Sequence, residues 1–287
     1  MIVVRDPRGS RIVDLGAPIA AGPGCVAVSA NEVLCAATFF LRTTVTVGDL
    51  NDFVLFAGGS NRTTLHRGAG NDALNSVMDF VFLVGGPGDD TLDGGGGAER
   101  FRGGLGDDVM RGRGGSDTAD YSERTAGVTV DLDGVADDGE PSKADTLSGI
   151  ETVVGGAGND RLTGNASFNS LIGRDGADTL VGLEGEDLLG GGAGTDRLSG
   201  GATFDFLAAG SGDDRVYGGG GSDFMSGQLS IDILRGGLGR DDMSGGRGAD
   251  TFFARDRTRD RLLGGTGTDA AEIDQGLDRL REIELLF

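Results

Sequence analysis

The chain has 287 residues, 57 of them glycine and none tryptophan, and its 46 acidic against 25 basic side chains leave a net charge of −21. That balance argues against binding nucleic acid or an anionic membrane through a basic face. Lys143 is the only lysine, which excludes a lysine-dependent phosphate loop, and no run of 18 apolar residues is present, so no transmembrane helix is expected.

Residues 1–47 read as a β-rich N-terminal cap, with candidate strands at 2–5, 26–28, 33–35 and 43–47. The first six residues lack the apolar core of a signal peptide, so export would follow trimming or use another signal. Cys25 and Cys35, the only cysteines, bracket a hairpin pattern. A disulfide would tie its ends together and fit an oxidising compartment; two buried free thiols are the alternative.

Residues 48–120 form a first, irregular array of nine-residue units. Its clear acidic turns fall at Asp72, Asp90, Asp108 and Asp117, while Thr63, Val81 and Glu99 stand at the same phase. Large apolar residues continue at Leu65, Leu74, Leu83, Leu92, Phe101 and Met110. Between Gly112 and Gly155 the phase slips, because 43 residues is not a multiple of nine. Residues 121–154 therefore read as an insert: a strand at 128–132, a surface loop at 133–144, and re-entry at Asp145. A bulged coil in one continuous solenoid and two rolls joined by a linker both fit this pattern.

Eleven units then run without a gap over residues 155–253. Each approximates Gly-Gly-x-Gly-x-Asp-x-Φ-x, with Φ a large apolar residue. The sixth position reads Asp160, Asn169, Asp178, Asp187, Asp196, Asp205, Asp214, Asp223, Asp232, Asp241 and Asp250, and the eighth runs from Leu162 to Phe252. Glycines allow positive φ and close approach of one turn to the next. The residues after the aspartate suit a short strand with its middle side chain pointing inward. A chain that folds back every nine residues makes a coil of eighteen, so the sixth positions sort into two columns on opposite edges. Ser167, Thr203 and Ser230 replace the fourth-position glycine and Asn169 replaces an aspartate, which weakens metal binding near those turns. Residues 254–287 read as a C-terminal cap, with an Arg-Asp run at 255–261 and a last repeat-like turn ending at Asp269.

Carboxylates stacked at roughly 4.8 Å repel unless a cation lies between them. Carboxylate and carbonyl oxygens are hard ligands that suit Ca²⁺, and the regular array contains no Cys or His for zinc. One buried leucine contributes roughly 1.5–3 kcal/mol, whereas ordering nine residues costs about 9–18 kcal/mol of backbone entropy. Metal binding is therefore expected to be coupled to folding.

Units such as Gly85-Gly86-Pro87-Gly88-Asp89-Asp90 and Gly155-Gly156-Ala157-Gly158-Asn159-Asp160 resemble the motif of the RTX (repeats-in-toxin, hemolysin-type) calcium-binding family over about 200 residues. The cap around Cys25 and Cys35 also looks like that of secreted actinobacterial members. The resemblance implies an all-β fold, a right-handed parallel β-roll solenoid with terminal caps, holding Ca²⁺ between its turns. The expected metal ligands are Asp72, Asp90, Asp108, Asp117, Asp160, Asp178, Asp187, Asp196, Asp205, Asp214, Asp223, Asp232, Asp241 and Asp250. On the order of ten ions would roughly neutralise the chain.

Catalysis has little support in the residues. His66 is the only histidine and reads as a surface residue, no Gly-x-Ser-x-Gly elbow is present, and Glu184, Glu186 and Asp187 read as solvated or metal-bound acids. The function expected is that of a bacterial extracellular structural or adhesive protein that folds on Ca²⁺. Its partners would be calcium together with a cell surface, a polysaccharide or another copy. The alternative is the repeat module of a larger RTX enzyme or toxin.

Overall fold

The computed structural model describes residues 68–76 and 80–286, together with the strand backbones at 9–13, 25–29, 32–36, 43–46, 53–56 and 63–66 and the side chains of residues 64–66. Every regular element among the described residues is a β-strand, and the parallel ladders form a β-solenoid. No helix long and apolar enough to cross a membrane occurs among them. The chain divides into two compact units that exchange segments: residues 1–120 with 134–150, and residues 121–133 with 151–287. The insert at 121–154 is thus shared between them.

In the first unit, Gly9–Val13, Glu32–Ala36 and Cys25–Ser29 make a three-stranded antiparallel sheet with Glu32–Ala36 in the centre. Gly9–Val13 was not legible as a strand, and the strand expected at 2–5 lies outside the described residues. Cys25 pairs opposite Cys35, although their side chains, and so the expected disulfide, lie outside the described part. Thr43–Thr46 already pairs in parallel with Thr63–His66, and the ladder continues through Val81–Pro87, Arg100–Leu105 and Thr118–Asp120. Its β-branched threonines and valine suit a rung of the roll as well as a cap. A second parallel ladder runs through Phe53–Phe56, Ala73–Ser76, Thr91–Asp93, Val109–Arg111 and Asp145–Ser148. The segment expected to be a loop contains Ala136–Asp138, which pairs antiparallel with Asp145–Ser148 and covers that ladder's edge.

The second unit has the same construction. One ladder starts at Thr129–Asp131 and runs through Arg161–Thr163, Thr179–Leu183 and Arg197–Ala202 to Leu285–Leu286; the other runs from Thr152–Val154 through Ser170–Asp175 and Leu188–Ala193 to Arg279–Arg281. Register is eighteen residues per coil, as in Leu171 opposite Leu189 and Leu180 opposite Leu198. The eighth-position residues form two buried rows, Leu162, Leu180, Leu198, Val216, Leu234 and Phe252 in one ladder and Leu171, Leu189, Leu207, Met225 and Met243 in the other. The core is therefore one side chain deep per strand. Stacking along the axis, more than bulk burial, must hold the coils together.

The C-terminal segment does not leave the roll at residue 254. Arg261–Thr266 pairs with Asp242–Arg247, and Ala270–Ile273 with Thr251–Ala254, each at a spacing of nineteen. One extra residue in the turn at 255–259 shifts the phase without breaking the stack. There the Asp256 carboxylate accepts the N–H groups of Gly239 and Thr258, so a side chain fills the place of a glycine-rich turn. The Arg-Asp run adds the pairs Arg255–Glu272 and Arg261–Asp242, at 2.9 and 2.8 Å.

Candidate metal sites in the turns

The regular turns of the second unit begin with a glycine whose missing side chain makes room for the carboxylate that ends the turn, except that the buried Ala209 begins the turn ending at Asp214. A Cβ on Gly173 would lie 2.2 Å from Oδ2 of Asp178 and 2.7 Å from the carbonyl oxygen of Gly191 in the next coil. The fourth position needs glycine for a second reason. Gly194 has φ of +136°, and a Cβ there would sit 1.7 Å from the Gly176 carbonyl oxygen. Both contacts favour backbone without a side chain, which explains why glycine recurs at these two phases.

The sixth-position aspartates are buried, and each is tied to the coil before it. In the second unit Oδ1 of Asp178, Asp196, Asp214, Asp232 and Asp250 accepts the backbone N–H of the aspartate eighteen residues earlier, at 2.7–2.9 Å. Asp160 starts this column by accepting from Val128. The other column repeats the bond from Asn169 through Asp187, Asp205, Asp223 and Asp241. Each aspartate thus spends one oxygen on stacking.

The second oxygen has a different environment. Oδ2 of Asp178, Asp187, Asp196, Asp205, Asp214, Asp223, Asp232, Asp241 and Asp250 is buried without a hydrogen-bond partner. Carbonyl oxygens converge on the same points, as Gly191 does beside Asp178 and Gly200 beside Asp187. Two acceptors that face each other require either a proton or a cation between them. Without a cation, burial favours the proton. It pushes Asp178, Asp223 and Asp232 up to about 7 and Asp187, Asp205, Asp214 and Asp250 up to about 6, against the lowering effect of the backbone N–H that each accepts. For Asp178, the neighbouring charges of Asp160, Asp196 and Asp175 raise it further. A hard divalent cation resolves the same conflict with charge to spare, so the donor set fits Ca²⁺.

In the first unit Asp72, Asp90 and Asp108 occupy one column, with the N–H of Asp72 donating to Asp90 and that of Asp90 to Asp108. The opposite edge is chemically different. Val81 is buried where a carboxylate would stand, and Glu99, one methylene longer, turns its Oε2 back onto the N–H of Gly95 in its own turn. Asp117 follows Glu99 in this column and accepts its N–H at 2.7 Å. The side chain of Thr63 lies outside the described part.

Further carboxylates join these columns that were not among the expected ligands, although the sequence marked Asp145 as a point of re-entry and Asp269 as the end of a repeat-like turn. Asp145 accepts the N–H of Asp108 across a 37-residue excursion, and Asp260 and Asp269 accept those of Asp241 and Asp250 at spacings of nineteen. Of the three, Asp260 went unread, because the extra residue before it slips the phase of its Asp-x-Leu signature. The weak turns also acquire an explanation. Thr203 has φ of 76°, and its hydroxyl donates to the Gly185 carbonyl oxygen at 2.8 Å, engaging a turn oxygen directly. Asn169 accepts the N–H of Asn165 through Oδ1. His66 is exposed beside Phe82, with ring centroids 6.5 Å apart.

Two ladders closed by glycine turns, with a buried carboxylate repeated on each edge, define a β-solenoid of the cation-binding type. The RTX calcium-binding nonapeptide repeat matches residues 84–119, 145–167, 154–189, 164–198, 190–225 and 220–252, together half of the sequence. The chain belongs to this RTX family of calcium-binding repeat proteins. A comparison with curated proteins finds no match.

Proposed function

We propose that this chain is a non-enzymatic extracellular protein that folds on binding Ca²⁺ and then serves as a structural or adhesive surface. The observation that carries the reading is the row of buried Oδ2 atoms facing turn carbonyls along both edges of the second unit. The ligands would be the sixth-position aspartates named above, from Asp72 to Asp250, joined by Asp145, Asp260 and Asp269. A count on the order of ten ions would roughly balance the charge. Carboxylates shared between successive coils would make binding cooperative along each edge.

Secretion fits such a switch, because a chain with stacked unneutralised carboxylates stays open until it meets high calcium. The register that sets Cys25 opposite Cys35 supports a disulfide in the N-terminal sheet. The absence of turnover is supported by the exposure of His66 and by the commitment of the buried acids to the turns.

Far-UV circular dichroism at neutral pH tests the coupling. Metal-free protein should lose most of its β signal and regain it in millimolar Ca²⁺. Equal spectra with and without chelator would contradict it. Screening the purified protein for hydrolase, lyase and epimerase activity tests the non-enzymatic part.

A further inference from the structure

We infer that one sheet face of the second unit is a docking strip for an extended acidic polysaccharide, specifically a chain of carboxylated sugars. The inference rests on the reading of the chain as a surface-interaction protein and names the partner class. Between residues 161 and 253 the outward positions of one ladder carry Arg161, Thr163, Thr179, Val181, Arg197, Ser199, Arg215, Tyr217, Ile233, Arg235, Thr251 and Phe253. In a protein of net charge −21, this face bears four arginines and no acid.

Three of the arginines are aligned by the roll itself. Arg161 pairs with Thr179, Thr179 with Arg197 and Arg197 with Arg215, so these cations stand at multiples of the coil rise, while Arg235, opposite Tyr217, lies in the adjacent row two residues along the strand. Arg197 and Arg215 are direct neighbours, and like charges so placed weaken a ladder. Some arginines elsewhere are neutralised, as Arg100 and Arg102 are by Asp120 and Arg261 by Asp242, while others such as Arg174 and Arg247 stand singly on their strands. Arg161, Arg197, Arg215 and Arg235 enter no ion pair among the described residues. A row that costs stability and is left without counter-charges is suited to an external anion.

The remaining residues select the class of anion. Each ring of a 1,4-linked uronide advances its chain by about one coil rise, ~5 Å, and offers one carboxylate to a guanidinium fork. Thr179 lies between Arg161 and Arg197, Thr163 and Ser199 share strands with those arginines, and all three provide hydroxyls for those of a sugar. Tyr217, 44% exposed, supplies an apolar ring surface. A single-stranded nucleic acid would need a succession of open rings. Here Arg235 already covers Phe253, 5.0 Å from its ring centre, which leaves Tyr217 as the open one. The opposite ladder does not share this chemistry, since Ile172, Leu188, Phe206 and Phe224 make its outer surface apolar.

The test uses the full chain in Ca²⁺, verified as folded by circular dichroism, and titrates it calorimetrically with oligogalacturonides too short to gel. Wild-type protein should bind, and Arg197→Ser/Arg215→Ser should weaken binding about tenfold or more. Both sites accept small polar residues by analogy with Ser170 and Thr179, and Arg161→Thr provides an independent variant at the end of the row. Arg279→Ser/Arg281→Ser, on the other sheet, removes the same charge and should leave affinity within about twofold of wild type. Neutral maltooligosaccharides should not bind. The proposal is overturned if folded protein ignores the oligogalacturonides, if the two double variants lose affinity equally, or if a single-stranded oligonucleotide binds more tightly. A failure of calcium-coupled folding would appear in the dichroism and leave this binding result separately readable.

Discussion

The backbone N–H of Asp178 donates to Oδ1 of Asp196, eighteen residues further along the chain and 2.8 Å away, with both side chains buried. One carboxylate oxygen thereby joins two coils while its other oxygen faces the turn. Stacking uses one oxygen and the proposed cation binding would use the other, so the two roles of this side chain are separable by substitution.

Asp196→Asn retains an acceptor for the Asp178 N–H and removes the charge. The variant should need a higher Ca²⁺ concentration to fold, while its metal-free form is no less stable than wild type. Asp196→Ala also orphans the buried N–H, adding about 1–3 kcal/mol of destabilisation. Calcium midpoints followed by circular dichroism distinguish the two, and identical midpoints for wild type and Asp196→Asn would count against a ligand role.

Acidification should stabilise the metal-free roll. The folded-state carboxyls of Asp178, Asp223, Asp232 and Asp260 lie at about 7 and those of Asp187, Asp205, Asp214 and Asp250 at about 6, raised from an ordinary 3.8 mainly by burial. The folded chain then holds protons that the unfolded chain releases. That stability is fully present below the unfolded value and is lost as pH rises through 6 to 7. With Ca²⁺ the direction reverses, because protons compete with the metal. Dialysed metal-free protein scanned by dichroism checks this, and a β signal that grows with pH would refute it.

Glycine phase should matter more than glycine count. Gly194→Ala forces a Cβ to within 1.7 Å of the Gly176 carbonyl oxygen at a φ of +136°, whereas a Cβ on Gly190 meets no atom within 4 Å. The first substitution should cost about 2–4 kcal/mol or prevent folding, and the second should stay within about 0.5 kcal/mol of wild type. Thermal unfolding in saturating Ca²⁺ measures both.

The apolar rows are thin, so a single cavity should be felt. Leu189→Ala empties a buried rung between Leu171 and Leu207 and should cost about 2–5 kcal/mol. Hydrogen exchange should show the loss concentrated in neighbouring coils, as expected of a structure in which each repeat touches only the next.

Much of this architecture was legible because a covalent period of nine fixes both the aspartate and the apolar phase. Leu162 to Phe252 point inward and Asp178 stacks with Asp196 for the same reason. Legibility failed where insertion broke the phase while the stack survived. The excursion before Asp145 left its re-entry visible but not its place in a ligand column, and the extra residue before Asp260 hid that carboxylate, because a turn can lengthen while the next strand regains register. Gly9–Val13 escaped notice because its Gly-Ser-Arg start carries no alternation. The use of Oδ1 to hold the preceding coil was invisible as well, since sequence spacing brings two aspartates together without saying which atoms meet.

Anomalous diffraction from crystals grown in Ca²⁺ tests the central claim most directly. Peaks should lie beside Oδ2 along both columns of the second unit, from Asp178 and Asp187 onward, and along Asp72, Asp90 and Asp108 in the first, with none at the Val81 turn. Columns without peaks, or a peak at Val81 equal to that at Asp90, would contradict the assignment of these carboxylates as the calcium sites.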